Sequence, residues 1–260
     1  GGMIGTNATG AHGLRYGATK DYVLSLTTVL SSGELVEFAA NSEDQKPREI
    51  SSPAGNGNAR YNTLRKLLVE NKSLILSGYP KVKKNSSGYN LFAAVGSDRI
   101  DLTKILTGSE GTLGLIVGAK LRILDLPKAR AEGLAYFRDH DSMAEAVLEA
   151  LPLKPAAIEL MDKPLLDLAR GRNANVERFI EEEAQALLLF EFEAETPDQA
   201  AGQLDELRKI LTEKLRLAFT FRVNPENLGS LWEVRKAATR ILEEVQTSTK
   251  KASFIEDVTV

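Results

Sequence analysis

The segment Gly108-Ser109-Glu110-Gly111-Thr112-Leu113-Gly114 restricts the fold of this chain more than any other. Its glycines recur at a spacing of three, and it runs at once into Leu115-Ile116-Val117, an apolar, β-prone run. Glycine at that density marks backbone that turns at positive φ or approaches something closely. A strand directly after it means that a sheet holds the turn. Such a loop can offer backbone N–H groups to a phosphate or a ring edge. Taken alone, it is also compatible with an ordinary turn before a strand.

A second glycine-rich stretch opens the chain: Gly1-Gly2-Met3-Ile4-Gly5-Thr6-Asn7-Ala8-Thr9-Gly10-Ala11-His12-Gly13-Leu14-Arg15-Tyr16-Gly17. Its glycine content argues against a helix, so residues 1–17 read as loop. Asn7, among small residues, is suited to the left-handed region and offers a side-chain amide. With 260 residues the chain has room for two modest domains. A formal net charge of −3 gives no electrostatic case for nucleic acid. No apolar run reaches the length of a membrane-spanning helix, and no signal peptide is visible. Cysteine is absent, which removes disulfides, Cys-ligated metal and a thiol nucleophile from this chain. The two histidines, His12 and His140, match no metal spacing and read as surface or loop residues.

Between the glycine stretches, residues 20–31 are rich in β-branched side chains and read as a strand. Ser32-Gly33 turns the chain, and residues 34–38 return as the partner strand. Residues 40–57 read as loop, and residues 58–70 as an amphipathic helix with leucines at 64, 67 and 68. Residues 120–126 alternate toward Pro127 and read as a strand. The domain boundary is placed at 127–130. Beyond it, strands at 130–137, 156–161, 186–194 and 216–223 alternate with helices at 141–151, 163–170, 197–214 and 225–245. Asp141 or Ser142 is expected to cap the first of these helices, Thr196 the third and Asn224 the last. The fold class is α+β, with an antiparallel sheet carrying helices on one face in the second half.

The last helix holds an anomaly. Leu228, Leu231, Ala238, Leu242 and Val245 form one apolar arc, and Arg235 lies near its middle. An arginine there must snorkel or meet an anion. An internal carboxylate is one candidate. A substrate carboxylate, which suits the planar guanidinium fork, is the other.

Taken in order, these pieces resemble the FAD-linked oxidase family, the vanillyl-alcohol oxidase type of flavoprotein. The family pattern runs T-I-G-G-x-x-x-x-N-x-x-G, R-Y-G, a strand, a turn, another strand, G-Y-[DN]-L and G-S-E-G-T-L-G-I-I. Here it is matched by residues 1–17, the 20–38 hairpin, Gly88-Tyr89-Asn90-Leu91 and residues 108–116. The resemblance implies that residues 1–128 are the second half of the FAD-binding domain and residues 129–260 the first part of the cap domain. It implies that Gly2, Gly5, Asn7, Gly10, Gly17, Glu110, Gly111, Gly114 and Ile116 line FAD. Leu231-Trp232-Glu233-Val234-Arg235 resembles the family's L-W-x-x-R, in which the arginine holds the substrate carboxylate; Thr239 matches an assisting threonine, and Trp232 reads as packing. A substrate-binding lysine of some members is replaced by Ile255, which leaves the hydroxy acid open. The family's histidines for metal and base lie beyond Val260, so no catalytic or metal residue is assigned. The implied activity is oxidation of a D-2-hydroxy acid by hydride transfer to FAD. An iron–sulfur electron-acceptor module or subunit would be the partner, and the location would be cytoplasmic or peripheral at a membrane. The alternative is a non-catalytic small-molecule-binding or dimerisation module.

Overall fold

The structure is a computed structural model. It describes residues 1–40, 47–51, 57–82, 84–96, 100–169, 183–215, 221–223, 232–233 and 235–237, with backbone alone at 57–59, 168–169 and 221–223. Their contacts divide the chain into two compact units. One comprises Gly1–Gly10 and the described residues of Ala18–Leu124. The other comprises Ala11–Gly17 and the described residues from Asp125 on. The division falls between Leu124 and Asp125, a few residues ahead of the expected boundary, and Ala11–Gly17 leaves the first unit to pack with the second.

The first unit is built on a four-stranded antiparallel sheet in the order β3-β2-β1-β4. Its strands are β1 (Val23–Val29), β2 (Leu35–Ala39), β3 (Arg48–Ser51) and β4 (Leu115–Leu121). The expected 20–38 hairpin is present, with Thr28 opposite Val36. Three expectations are corrected. A strand, β3, occurs inside 40–57, because Leu35, Val36 and Glu37 offer it a ladder. The strand after the glycine loop ends at Leu121 rather than Leu126, where β1 no longer offers a partner. Residues 1–17 include two single-turn helices, α1 (Gly2–Gly5) and α2 (Gly13–Tyr16). Buried Ile4 supplies a reason for α1, since it packs with Val23, Leu26 and Leu106 and offsets the poor helix propensity of its neighbours.

Helix α3 (Gly57–Glu70) buries Tyr61 and Leu68, which lie on one face at i and i+7; Leu67 points outward. Three short helices follow: α4 (Lys72–Gly78), α5 (Leu91–Val95) and α6 (Thr103–Leu106). Together they enclose a core of Tyr61, Leu68, Ala94, Val95, Leu102 and Ile105. The Asp101 carboxylate accepts from Thr103 N at 3.0 Å and Thr103 Oγ1 at 2.5 Å, and the Thr107 hydroxyl donates to Thr103 O at 2.8 Å. These bonds brace both ends of α6, just ahead of the glycine loop.

The second unit carries a four-stranded antiparallel sheet in the order β6-β7-β5-β8. The strands are β5 (Ala129–Phe137), β6 (Ala157–Asp162), β7 (Ala186–Ala194) and β8 (Phe221–Val223). On one face Ala186, Leu188, Phe190 and Phe192 meet the helices α7 (His140–Ala150) and α9 (Pro197–Lys209). On the other, Leu187 and Leu189 meet Leu166 of α8 (Lys163–Ala169), together with Trp232 and Ala237. Helices on a single face are thus corrected to helices on both. Strand β7 is buried from Ala186 through Glu193 because each face has its own cover. Thr196 caps α9 as expected, accepting from Gln199 N at 3.3 Å, with Pro197 at the first turn. The cap of α7 is Asp139, not Asp141 or Ser142; its carboxylate accepts from Ser142 N at 2.7 Å. Asn224 and most of the predicted 225–245 helix lie outside the described residues; positions 232, 233 and 235–237 are helical.

Candidate functional site

The two glycine stretches meet directly. Gly108 N donates to Ile4 O and Glu110 N to Gly5 O, each at 2.9 Å. The tight turns that permit this use left-handed backbone at Asn7 (φ 50°), Gly108 (φ 87°), Glu110 (φ 51°) and Gly111 (φ 80°). Asn7 behaves as its position suggests. It turns left-handed, and its Oδ1 accepts from Lys20 N at 2.9 Å, tying the first stretch to the entry of β1. A third segment joins them, since the Tyr89 hydroxyl lies 2.8 Å from Thr112 Oγ1. The family-like Gly88–Leu91 segment thereby abuts the glycine loop, a contact that pattern matching alone does not reveal.

The predicted cofactor residues separate by what their bareness does. A Cβ added at Gly2, Gly5, Gly10 or Gly111 would meet nothing within 4 Å among the described residues. Packing among the described residues therefore does not demand glycine there, although the positive φ of Gly111 favours it, and space is left beside the backbone at these four positions. Gly114 differs, because its Cβ would lie 2.7 Å from both Thr28 Cγ2 and Val29 O. Its lack of a side chain lets β4 dock on β1. The Ile116 side chain joins the apolar cluster of Ile4, Val23, Leu26 and Leu106. Glu110 is exposed on the loop. Gly17 belongs to the second unit, where it ends α2 at φ 74°.

In the second unit the face of β7 opposite α7 and α9 changes from apolar to acidic. Glu132 on β5 pairs with Glu191 on β7, and Glu193 follows on the same face; all three are buried. Carboxylates removed from water must be paired. Arg130 Nε lies 3.8 Å from Glu191 and 3.4 Å from Glu193, and Arg15 Nε lies 3.3 Å from Glu193. His12 Nε2 is 2.8 Å from Glu191 Oε1, and its ring stacks on Trp232 with centroids 5.1 Å apart. Trp232 Nε1 donates to Glu191 Oε2 at 2.5 Å, and the Tyr16 hydroxyl donates to Glu193. Burial, reinforced by the Glu193 carboxylate, pushes the Tyr16 phenol above its ordinary range. His12 lies in the turn before α2, a loop position as expected, with its side chain 35% exposed, yet its ring reaches the buried Glu191 carboxylate; His140 is exposed at the start of α7.

His12, Glu191 and Glu193 bring three potential metal-ligand atoms within 4.8 Å of one another. Two guanidiniums already face these carboxylates, so an added divalent ion would be repelled by Arg15 and Arg130. The cluster reads as an internal ionic anchor. It holds the end of the first glycine stretch and the Trp232 helix to one strand. Its sequence signal was the alternation Phe190-Glu191-Phe192-Glu193, in which the glutamates occupy one face of a buried strand.

Arg235 meets an internal carboxylate. Its Nε donates to Glu159 Oε2 at 2.9 Å, with the arginine side chain 39% and the glutamate 20% exposed. Trp232 packs in the core as expected, and Ala237 is buried beside it. Thr239 and Ile255 lie outside the described residues.

Comparison with known proteins gives the family. Residues 126–260 match the family model described as FAD linked oxidases, C-terminal domain, and residues 1–39 match one described as FAD binding domain. The chain belongs to the FAD-linked oxidases. It is 29% identical to the D-2-hydroxyglutarate dehydrogenase of Escherichia coli (strain K12) across all of this chain and 27% of that protein. It is 25% identical to glycolate oxidase subunit GlcD of Bacillus subtilis (strain 168), over the whole chain and 43% of that subunit. The chain thus spans about a quarter of the length of the D-2-hydroxyglutarate dehydrogenases that it matches. A solved alkyldihydroxyacetonephosphate synthase shares the fold, with a TM-score of 0.55 at 17% identity over 94% of this chain and 37% of that one. FAD is the cofactor of this family of oxidases, and the open glycines at 2, 5, 10 and 111 fit a ligand approached through its backbone contacts. No helix among the described residues is long and apolar enough to cross a membrane.

Proposed function

We propose that this chain is part of a flavoprotein that oxidises a D-2-hydroxy acid of the lactate, glycolate or 2-hydroxyglutarate class. When bound, FAD would accept the hydride from the substrate α-carbon. The residues of this chain bind and orient. Gly2, Gly5, Asn7, Gly10, Glu110 and Gly111 border the cofactor; Gly114 and Ile116 hold that border on the sheet, and Gly17 closes the segment that follows. Arg235, assisted by Thr239, binds the substrate carboxylate as a planar fork. In this reading residues 1–128 belong to the FAD-binding domain and residues 129–260 to the cap.

The observation that carries the reading is the pair of hydrogen bonds joining Ile4 and Gly5 to Gly108 and Glu110, which makes one glycine-walled surface from two remote stretches. Relatives that bear the names of 2-hydroxyacid dehydrogenases and oxidases support the reaction class. An iron–sulfur module or subunit is the proposed electron acceptor, in the cytoplasm or at the face of a membrane. The test is to reconstitute the complete protein with FAD and compare Arg235→Ala with wild type on D-lactate, glycolate and D-2-hydroxyglutarate. The expected result is a raised KM for whichever acid is turned over. An unchanged KM removes the carboxylate role from Arg235.

A further inference from the structure

We propose that Glu159 is a positioning residue for Arg235, setting the plane in which its guanidinium presents itself to a substrate carboxylate. The inference rests on the carboxylate-binding role given to Arg235 above. Glu159 sits on β6, directly opposite Leu189 of β7. Its neighbours on that face, Ala157 and Met161, are in the core with Trp232 and Ala237. The strand register therefore places the Glu159 carboxylate beneath the helical turn that carries Arg235. It accepts from Nε at 2.9 Å.

A guanidinium is planar, so fixing Nε fixes the direction of the Nη pair at its far end, the edge suited to a bidentate carboxylate. One helical turn earlier, Trp232 is held by Glu191 of the neighbouring strand β7 at 2.5 Å. Two strand-borne carboxylates thus hold one helix at points three residues apart, and Arg235 sits at the second. The Arg235–Glu159 pair is part-buried, so its loss is felt in stability as well as in the direction of the arginine. The proposed effect of Glu159 on the orientation of the arginine is therefore read from ligand binding by the folded variants, not from stability.

The experiment measures calorimetric Kd for oxalate, an unreactive carboxylate, and steady-state KM and kcat for the hydroxy acid that is turned over. It uses the complete FAD-loaded protein. Glu159→Ala is expected to weaken oxalate about tenfold and to raise KM more than it lowers kcat. Glu159→Gln, which keeps a neutral acceptor at the same reach, should recover part of the loss, and it decides the question if the alanine variant fails to fold. In an Arg235→Ala background, neither Glu159 substitution should weaken oxalate further. The proposal is overturned if both single variants bind oxalate like wild type while Arg235→Ala does not, or if the losses at 159 and 235 simply add. If Arg235→Ala itself binds oxalate normally, the carboxylate-binding role fails first, and Glu159 loses its role with it.

Discussion

The glycines of the loop at 108–114 have different tasks, and substitution can tell them apart. Gly114 lies against the backbone of β1, where an added methyl would be 2.7 Å from Val29 O and Thr28 Cγ2. The carbonyl belongs to a paired strand and cannot retreat cheaply. Gly114→Ala is therefore expected to destabilise the protein by about 1–3 kcal/mol, the usual cost of overpacking, as a lowered urea midpoint with an unchanged slope. Asn7 shows the same economy with a side chain, its amide oxygen capturing Lys20 N while its backbone takes the left-handed turn. The buried glutamates are the costly residues. Glu191 alone serves His12, Trp232 and Arg130, and each contact offsets part of the expense of keeping a carboxylate out of water.

Among the elements, β7 and the helices around it show how a strand can be buried on both faces. Its even-numbered residues from 186 to 192 meet α7 and α9, while Leu187 and Leu189 meet Trp232 and Leu166. Beyond Leu189 the second face is filled by ion pairs in place of hydrocarbon. The helices depend on their first turns, and α7 offers a pH-dependent case. The Asp139 carboxylate takes hydrogen bonds from the Ser142 hydroxyl and amide, which holds its pKa below the ordinary carboxylate value of 3.8. A lowered folded value means that the cap stabilises the protein above 3.8 and that this contribution is lost as pH falls through the folded value. Asp139→Ala should accordingly show its full deficit in thermal midpoint at neutral pH, and the gap to wild type should close in acid. A gap independent of pH would mean that the carboxylate charge plays no part in the cap.

At the scale of the molecule, the chain comprises two units, each with its own antiparallel sheet. It spans about a quarter of the length of its D-2-hydroxyglutarate dehydrogenase relatives. This segment by itself is therefore expected to bind FAD weakly or not at all and to be inactive. Isothermal calorimetry checks this, and tight one-to-one binding would contradict it.

Local order was legible in the sequence because it depends on neighbours. Alternation marked β7, Thr196-Pro197 marked the start of α9, small residues around Asn7 marked the left-handed turn, and the recurring glycines marked two loops of special backbone. Helix α1 and strand β3 escaped this reading, since each is stabilised by packing or pairing that local propensity does not contain. The partners were decided only by tertiary structure. Arg235 was bound to need an anion, yet nothing in its own helix distinguishes Glu159, 76 residues away, from a substrate. His12 meets Glu191 across 179 positions. Such pairings depend on strand register and on which face each strand turns inward, and a shift of one residue would send every one of those carboxylates to the opposite face.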